Sequence, residues 1–236
     1  MADRDRPLYA VLIDADNIPA KHASAILNEV TTFGEPALRR VYGDWSSGRL
    51  NSWSKAVREL GLVAHQETAN TVGKNASDIG MVIDAMDILH TGRFDGFVLV
   101  SSDSDFTALA NRVREQGMDV IGIGEAKAPE SLRNVCNRFV LIENIADDTI
   151  PAEKGAPVAS KQNPTAAVPL IINAMDKIPS DDEWYALGPL GQYIVRDNPD
   201  FDPRTYGKKK LSDLVAGLKR FETKKIGHQL HLRRID

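Results

Sequence analysis

The sequence predicts an α/β protein: a parallel β-sheet sandwiched by helices, followed by a small C-terminal winged-helix domain. Three observations carry that expectation. Over the first 146 residues short apolar runs alternate with helical stretches, and strands that read as near-continuous apolar runs belong in a parallel sheet covered on both faces. The segment DDTIPAEKGAPVASKQN, Asp147–Asn163, then breaks all apolar periodicity with Pro, Gly, Ala and charge, and reads as a flexible linker. Beyond it, amphipathic helices precede a terminal hairpin. The expected domains are therefore residues 1–146 and 164–236, with 147–163 as the linker.

In chain order, the strand candidates are Tyr9–Ile13, Ala37–Tyr42, Leu62–His65, Gly96–Val100, Asp119–Ile123 and Phe139–Ile142. Helix candidates fall between them at Pro19–Thr32, Leu50–Leu60, Ala76–Thr91, Asp105–Gln116 and Glu130–Cys136. After the linker, Ala166–Lys177 and Leu187–Asn198 carry helical periodicity, and Pro203–Phe221 holds a third helix around KKKLSDLVAGLKRF. Phe221–Lys225 and Leu230–Arg234 form a hairpin turned at Ile226-Gly227-His228.

Composition bounds the function. With 42% hydrophobic and 26% charged residues a packed core is available. No apolar run reaches the roughly 18–20 residues needed to span a membrane, and MADRDRPLYAVLID lacks a small-residue cleavage site after a longer apolar region, so no membrane and no secretory signal are expected. A single cysteine, Cys136, rules out an internal disulfide, and a cytoplasmic location is the default. The net charge of −4 is uneven: Pro164 to the C-terminus holds 12 Lys+Arg against 10 Asp+Glu, leaving 17 against 23 for the remainder. The basic excess gathers after Asp202 and hints at a polyanion partner, but it is too small to decide the matter.

The carboxyl ends of parallel strands are where such sheets bind ligands. The first strand ends in Asp14-Ala15-Asp16-Asn17, and the Gly96–Val100 strand ends in Ser101-Ser102-Asp103-Ser104-Asp105. Asp78 stands where a long helix begins, in Lys74-Asn75-Ala76-Ser77-Asp78, and Asp84 follows six residues on. Taken singly, Ser104 or Asp105 can be a helix N-cap and Asp78 a favourable first-turn charge. Taken together, two distant strands deliver Asp-x-Asp to one rim, where carboxylates repel unless a cation joins them. Oxygen donors alone point to Mg²⁺ or Mn²⁺ rather than zinc, and His22, His65, His90, His228 and His231 are scattered. A divalent ion in such a site polarises a phosphate and stabilises its leaving oxygen, which suits phosphodiester hydrolysis. GxxxxGK[ST] and GxSxG motifs are absent, and Cys136 has no histidine close in sequence. Gly122-Ile123-Gly124 is only a fragment of a dinucleotide fingerprint and reads as a tight strand-to-loop turn.

The motifs VLIDADNIPA, GKNASDIGMVIDAMDIL, FVLVSSDSDFTALANRVREQGMDVIGIG and NVCNRFVLIENI, in order from Leu8 to Ile145, closely resemble the NYN family of PIN-like ribonucleases, in particular its LabA-like branch. The resemblance implies a PIN-like Rossmannoid sandwich and a metal-dependent endoribonuclease site. It places Asp14, Asp78, Asp103 and Asp105 on the family's metal-binding cluster and Asn17 on its Asp-x-x-Asn position. Asp84 falls on a further family Asp, but six helical residues turn it about 120° from Asp78, so it belongs behind the ligands, as does Asp16. Ser101 or Ser102 would orient the carboxylates or touch the phosphate, while Ser104 would cap a helix. Lys74 is either a phosphate contact or a solvated loop lysine.

WYALGPLGQYIVRDNPDFDPRTYGKKKLSDLVAGLKRFE likewise resembles the OST-HTH, or LOTUS, domain over Pro164–Ile235, a winged-helix module that binds RNA or protein. Phe201 and Tyr206 can anchor a turn, with Arg204, Lys208, Lys209 and Lys210 at the surface near a helix start, suited to phosphate-backbone contact. Three function classes follow: an RNase with an RNA-capturing module, a non-catalytic RNA-binding adaptor, and a phosphatase of small phosphoesters, which would have no use for a capture surface. A homo-oligomer and a protein partner for the LOTUS-like module are both compatible with the sequence. Trp45 and Trp53 are candidates for base stacking, for a dimer contact or for core packing.

Overall fold

Leu8–Asp14 (β1) enters the interior because it offers nothing to solvent: Tyr9 through Asp14 are all buried. Around it the computed structural model, which describes residues 5–46, 48–66, 76–146, 161–179 and 182–235, builds a six-stranded sheet. Its other strands are Glu35–Gly43 (β2), Val63–Gln66 (β3), Gly96–Val100 (β4), Asp119–Gly124 (β5) and Arg138–Leu141 (β6). Every pairing is parallel, and the spatial order is β3-β2-β1-β4-β5-β6. The chain moves outward from β1 to β3 and then crosses to the far side of β1 to form β4. That reversal makes the β1/β4 boundary the switch point, outside which α/β sheets bind ligands.

Strand alternation divides the core in two. Tyr9, Val11 and Ile13 face Ala23–Phe33 (α1), Asn51–Leu60 (α2) and the short helix Ile142–Ile145 (α6). Ala10, Leu12 and Tyr42 face Ala76–His90 (α3), Thr107–Glu115 (α4) and Glu130–Val135 (α5). Each fully buried aliphatic side chain contributes about 1.5–3 kcal/mol. Trp53, 1% exposed, lies in the first of these layers with its indole N–H donating to the Ile18 carbonyl at 2.8 Å. It is a core residue, and the half-buried Trp45 packs on the same layer while donating to the His65 carbonyl at 2.8 Å.

Local differences from the expected elements have local causes. Phe139–Ile142 is shifted one residue earlier, because Ile142 turns in to open α6 and fill the α1 face. Gly122 and Gly124 lie within β5, so they form no strand-to-loop turn. Their missing side chains answer to close packing: a Cβ on Gly122 would stand 2.4 Å from the Phe139 ring.

The chain divides into two compact units, Met1–Pro151 and Ala152–Asp236. In the second, Val168–Lys177 (α7), Leu187–Asp197 (α8) and Leu211–Ala216 (α9) surround a core containing Ile171, Ile194, Leu214 and Leu232. An antiparallel sheet completes the winged-helix arrangement: Tyr185–Ala186 (β7), Phe221–Ile226 (β8) and Gln229–Arg234 (β9), in the order β7-β9-β8. β7, two residues long, gives no periodic signal in the sequence. Of the expected linker, residues 147–160 lie outside the described residues. Gln162 donates its N–H to the Thr205 carbonyl at 2.9 Å, and Asn163 caps the turn Pro164–Ala167. Among the described residues no helix is long and apolar enough to cross a membrane.

Candidate active site and RNA-binding surface

Asp14 is the last residue of β1, and alternation points it to the α3 face beyond Ala10 and Leu12. It is 1% exposed. Its Oδ2 accepts from Asn17 Nδ2 at 2.7 Å and from Ser101 Oγ at 2.8 Å, and its Oδ1 accepts from the Asn17 backbone N–H at 3.2 Å. Burial raises its pKa, and these three bonds pull the other way by favouring the ionised form. Asn17 thus acts within its own loop. Ser101 acts across the sheet, where Ile13 pairs with Val100 and the next residues are Asp14 and Ser101.

Ser101 Oγ also accepts the Asp103 backbone N–H at 3.1 Å, so one buried hydroxyl ties both acidic loops together. Ser102 has a different use: its Oγ accepts the Glu125 N–H at 2.8 Å and joins the ends of β4 and β5. The helix cap expected at Ser104 or Asp105 is Asp103, whose Oδ1 accepts the Asp105 N–H at 3.0 Å and opens the 3-10 turn Ser104–Phe106. Asp103 is the residue with extended backbone angles (φ −88°, ψ 133°) before the turn, which is what a cap requires. Its carboxylate is therefore held at the rim by the same bond that starts the helix. Asp105 and Asp16 are exposed at that rim.

Asp78 comes to these groups from α3. Its helical neighbours at i+3 and i+7, Met81 and Ala85, are fully buried against the sheet, so Asp78 is aimed along the same stripe. Burial first, and then the charges of Asp14, Asp103, Asp105 and Asp16, push its carboxyl up to about 6. Five carboxylates from three segments thus share one electrostatic field. Among the described residues no three His, Cys, Asp or Glu side chains close around a single point as metal ligands do. The donor set is all oxygen, and its mutual repulsion is what a hard divalent cation relieves.

Other expectations fall elsewhere. Asp84 is bound by Arg40 and Tyr42 of β2. Neither partner stands out as functional in the sequence, although Arg40 in a strand otherwise destined for burial is the available signal. Lys74 lies outside the described residues. Cys136 is buried, its thiol is pushed up to about 12 by burial, and it donates to the Leu132 carbonyl, which leaves it inert as a nucleophile.

In the second unit Phe201 and Tyr206 are buried with ring centroids 5.9 Å apart. Arg204 keeps a side-chain exposure of 31% and is paired within its own turn. Asp202, 3% exposed, caps the turn Pro203–Tyr206 and accepts the Arg204 guanidinium, with Nη2 to Oδ2 at 2.6 Å and Nε to Oδ2 at 2.9 Å. A buried carboxylate needs such a partner. Lys208, Lys209 and Lys210 do not begin a basic helix; they precede α9, with Lys210 at its N-cap. Lys209 and Lys210 are exposed. Trp184 carries Lys224 Nζ 3.9 Å and Arg233 Cζ 4.8 Å from its ring centre, a pairing between β8, β9 and the residue before β7 that only the folded sheet reveals.

Comparison with known proteins agrees with both units. The NYN domain model matches residues 9–143, and the chain belongs to that family; the OST-HTH/LOTUS domain model matches residues 160–232. NYN domains are generally metal-dependent ribonucleases, and OST-HTH/LOTUS domains bind RNA. Among solved structures, a Vibrio parahaemolyticus protein of unknown function is similar in fold, with 20% identity and a TM-score of 0.52 over 63% of this chain and 98% of that one. No curated protein matches the chain.

Proposed function

We propose that the chain is a metal-dependent endoribonuclease that hydrolyses RNA phosphodiester bonds at the β1/β4 rim, with RNA held by the C-terminal module. The observation that carries this reading is the gathering of Asp14, Asp16, Asp78, Asp103 and Asp105 at one rim, where burial and then the charges of the other four raise the Asp78 carboxyl to about 6. Asp14, Asp78, Asp103 and Asp105 would hold Mg²⁺ or Mn²⁺, which supplies the positive charge that polarises the phosphate and stabilises the leaving oxygen. Hydrogen bonds from Asn17 and Ser101 aim the Asp14 carboxyl and offset part of the rise that burial causes, and the Ser101–Asp103 bond ties the second acidic loop to the first. Lys208, Lys209 and Lys210 would neutralise backbone phosphates without reading sequence. Residues 1–146 would be the cutting domain and 164–236 the capturing one.

The test is cleavage of a labelled single-stranded RNA in Mn²⁺, in Mg²⁺ and in EDTA, beside Asp103→Asn. Cutting that needs the ion and falls by at least about 100-fold in the variant is expected, the scale of losing one charge-stabilising group. The absence of a closed ligand set among the described residues favours a second reading, an RNA-binding adaptor that keeps the fold. RNA that is retained but stays whole in both ions would establish that reading instead.

A further inference from the structure

Asp84 receives two side chains from the sheet. Arg40 Nη1 donates to both of its oxygens, at 2.6 Å to Oδ2, and the Tyr42 hydroxyl donates to Oδ2 as well. We propose that Arg40, Tyr42 and Asp84 form a positioning clamp: they fix the roll and height of α3 on the sheet, and with them the place of Asp78 opposite Asp14. The clamp rests on the nuclease reading in so far as Asp14 and Asp78 are taken as cation ligands.

Its sheet half is built beside the site, since Tyr42 is the register partner of Asp14. Its helix half is a short lever from Asp78, six residues or about 9 Å along α3. The contact between them is otherwise apolar, through Met81 and Ala85. Apolar burial tells a helix which face to hide but is non-directional, so it does not say where the helix should stop. Hydrogen bonds at a fixed point do. A roll by one residue would swing Asp78 through about 100° and away from the rim. Tyr42 stays a donor because burial, and then the bond to Asp84, raise its pKa well above the ordinary tyrosine value, and a guanidinium stays charged. Arg40 and Asp84 keep side-chain exposures of 28% and 21%. An ion pair still open to water adds little stability, which leaves geometry as what it supplies.

The experiment compares the full chain with Tyr42→Phe and Asp84→Asn by calorimetric titration with Mn²⁺, by kcat and KM on single-stranded RNA, and by melting temperature. Both variants are expected to bind Mn²⁺ about 10- to 100-fold more weakly, with kcat falling alongside and KM for RNA within about twofold. Asp84→Glu, which keeps the charge for Arg40, should recover part of the Mn²⁺ affinity. Variants that melt earlier yet bind Mn²⁺ as tightly as the wild type would overturn the clamp and leave a plain structural tie. A wild type that binds Mn²⁺ but cuts no RNA would remove the nuclease reading while the Mn²⁺ affinities still decide the clamp. A wild type that takes up no Mn²⁺ would overturn both.

Discussion

At the residue scale, Asp78 carries the sharpest consequence. A folded-state pKa of about 6, against about 3.9 for an unperturbed aspartate, means that the folded chain holds a proton the unfolded chain has released. Stability from this group is therefore complete below about pH 4 and is lost as pH rises through about 6. In EDTA the melting temperature should fall between pH 4.5 and pH 7, and Asp78→Asn should remove part of that slope. Mn²⁺ should restore the lost stability at pH 7, because the cation takes over the proton's role and binds only the folded site. Parallel pH profiles for the two proteins would show that Asp78 bears no such load. Asp14 is raised too, by burial, but Asn17 and Ser101 counter the shift with three hydrogen bonds, so the two carboxyls answer differently to the same rim. Asp14 is held by hydrogen bonds from Asn17 and Ser101, while Asp78 answers to burial and then to its acidic neighbours.

At the scale of elements, the ends of β4 and β5 depend on a residue with no side chain. A Cβ on Gly124 would lie 2.5 Å from the Ser101 carbonyl oxygen and 3.2 Å from Ser102 Oγ. Backbone cannot yield as a flexible side chain does, so Gly124→Ala should push β4's end away from β5 at a cost of about 1–3 kcal/mol. Ser101 would move with it and loosen both of its bonds, to Asp14 and from Asp103. Chemical denaturation should register the stability loss, and RNA cleavage should fall further than in an equally destabilised core variant; equal losses would separate Gly124 from the site. This dependence explains where sequence reading stops. Gly96–Val100 and the start of α3 were legible because an apolar run and a helical stripe are local signals. The need for glycine at 122 and 124 was not, since the obstacles are Phe139 on a neighbouring strand and Ser101 just past the end of another. Ser102, Asp103 and Ser104 are all capping residue types in succession, and only backbone angles distinguish the one that caps. Asp84 was legible as an acid near the site, but its partners come from a strand more than forty residues earlier in the chain. The pairing of Arg204 with Asp202 was not legible for a simpler reason: the carboxylate lies two residues away, and its burial is a tertiary fact.

At the scale of the whole molecule, the chain joins an acidic N-terminal part to a slightly basic C-terminal one. The acidic rim repels a polyanion, so on the nuclease reading RNA would be drawn by charge placed elsewhere. The lysines before α9 are suited to that work because Arg204 is already committed to Asp202, leaving Lys208, Lys209 and Lys210 as the basic run beside the turn. The cleft of about 450 Å³ in the second unit is a poor rival, since its lining sets Asp176, Glu183 and Glu222 against Arg233 and Arg234. Phosphate contacts release counterions, at about 0.7 per contact for a single strand, and each contact steepens the fall of affinity with salt accordingly. Replacing the three lysines with glutamine, in an Asp103→Asn background so that the RNA stays whole, should weaken binding across unrelated RNA sequences alike. It should also flatten the plot of log affinity against log salt by about 2. A triple variant that keeps the parent's slope would mean that RNA enters by another face, and the outer surface of the wing around Trp184, with Lys224 and Arg233 at its ring, would be the next place to substitute.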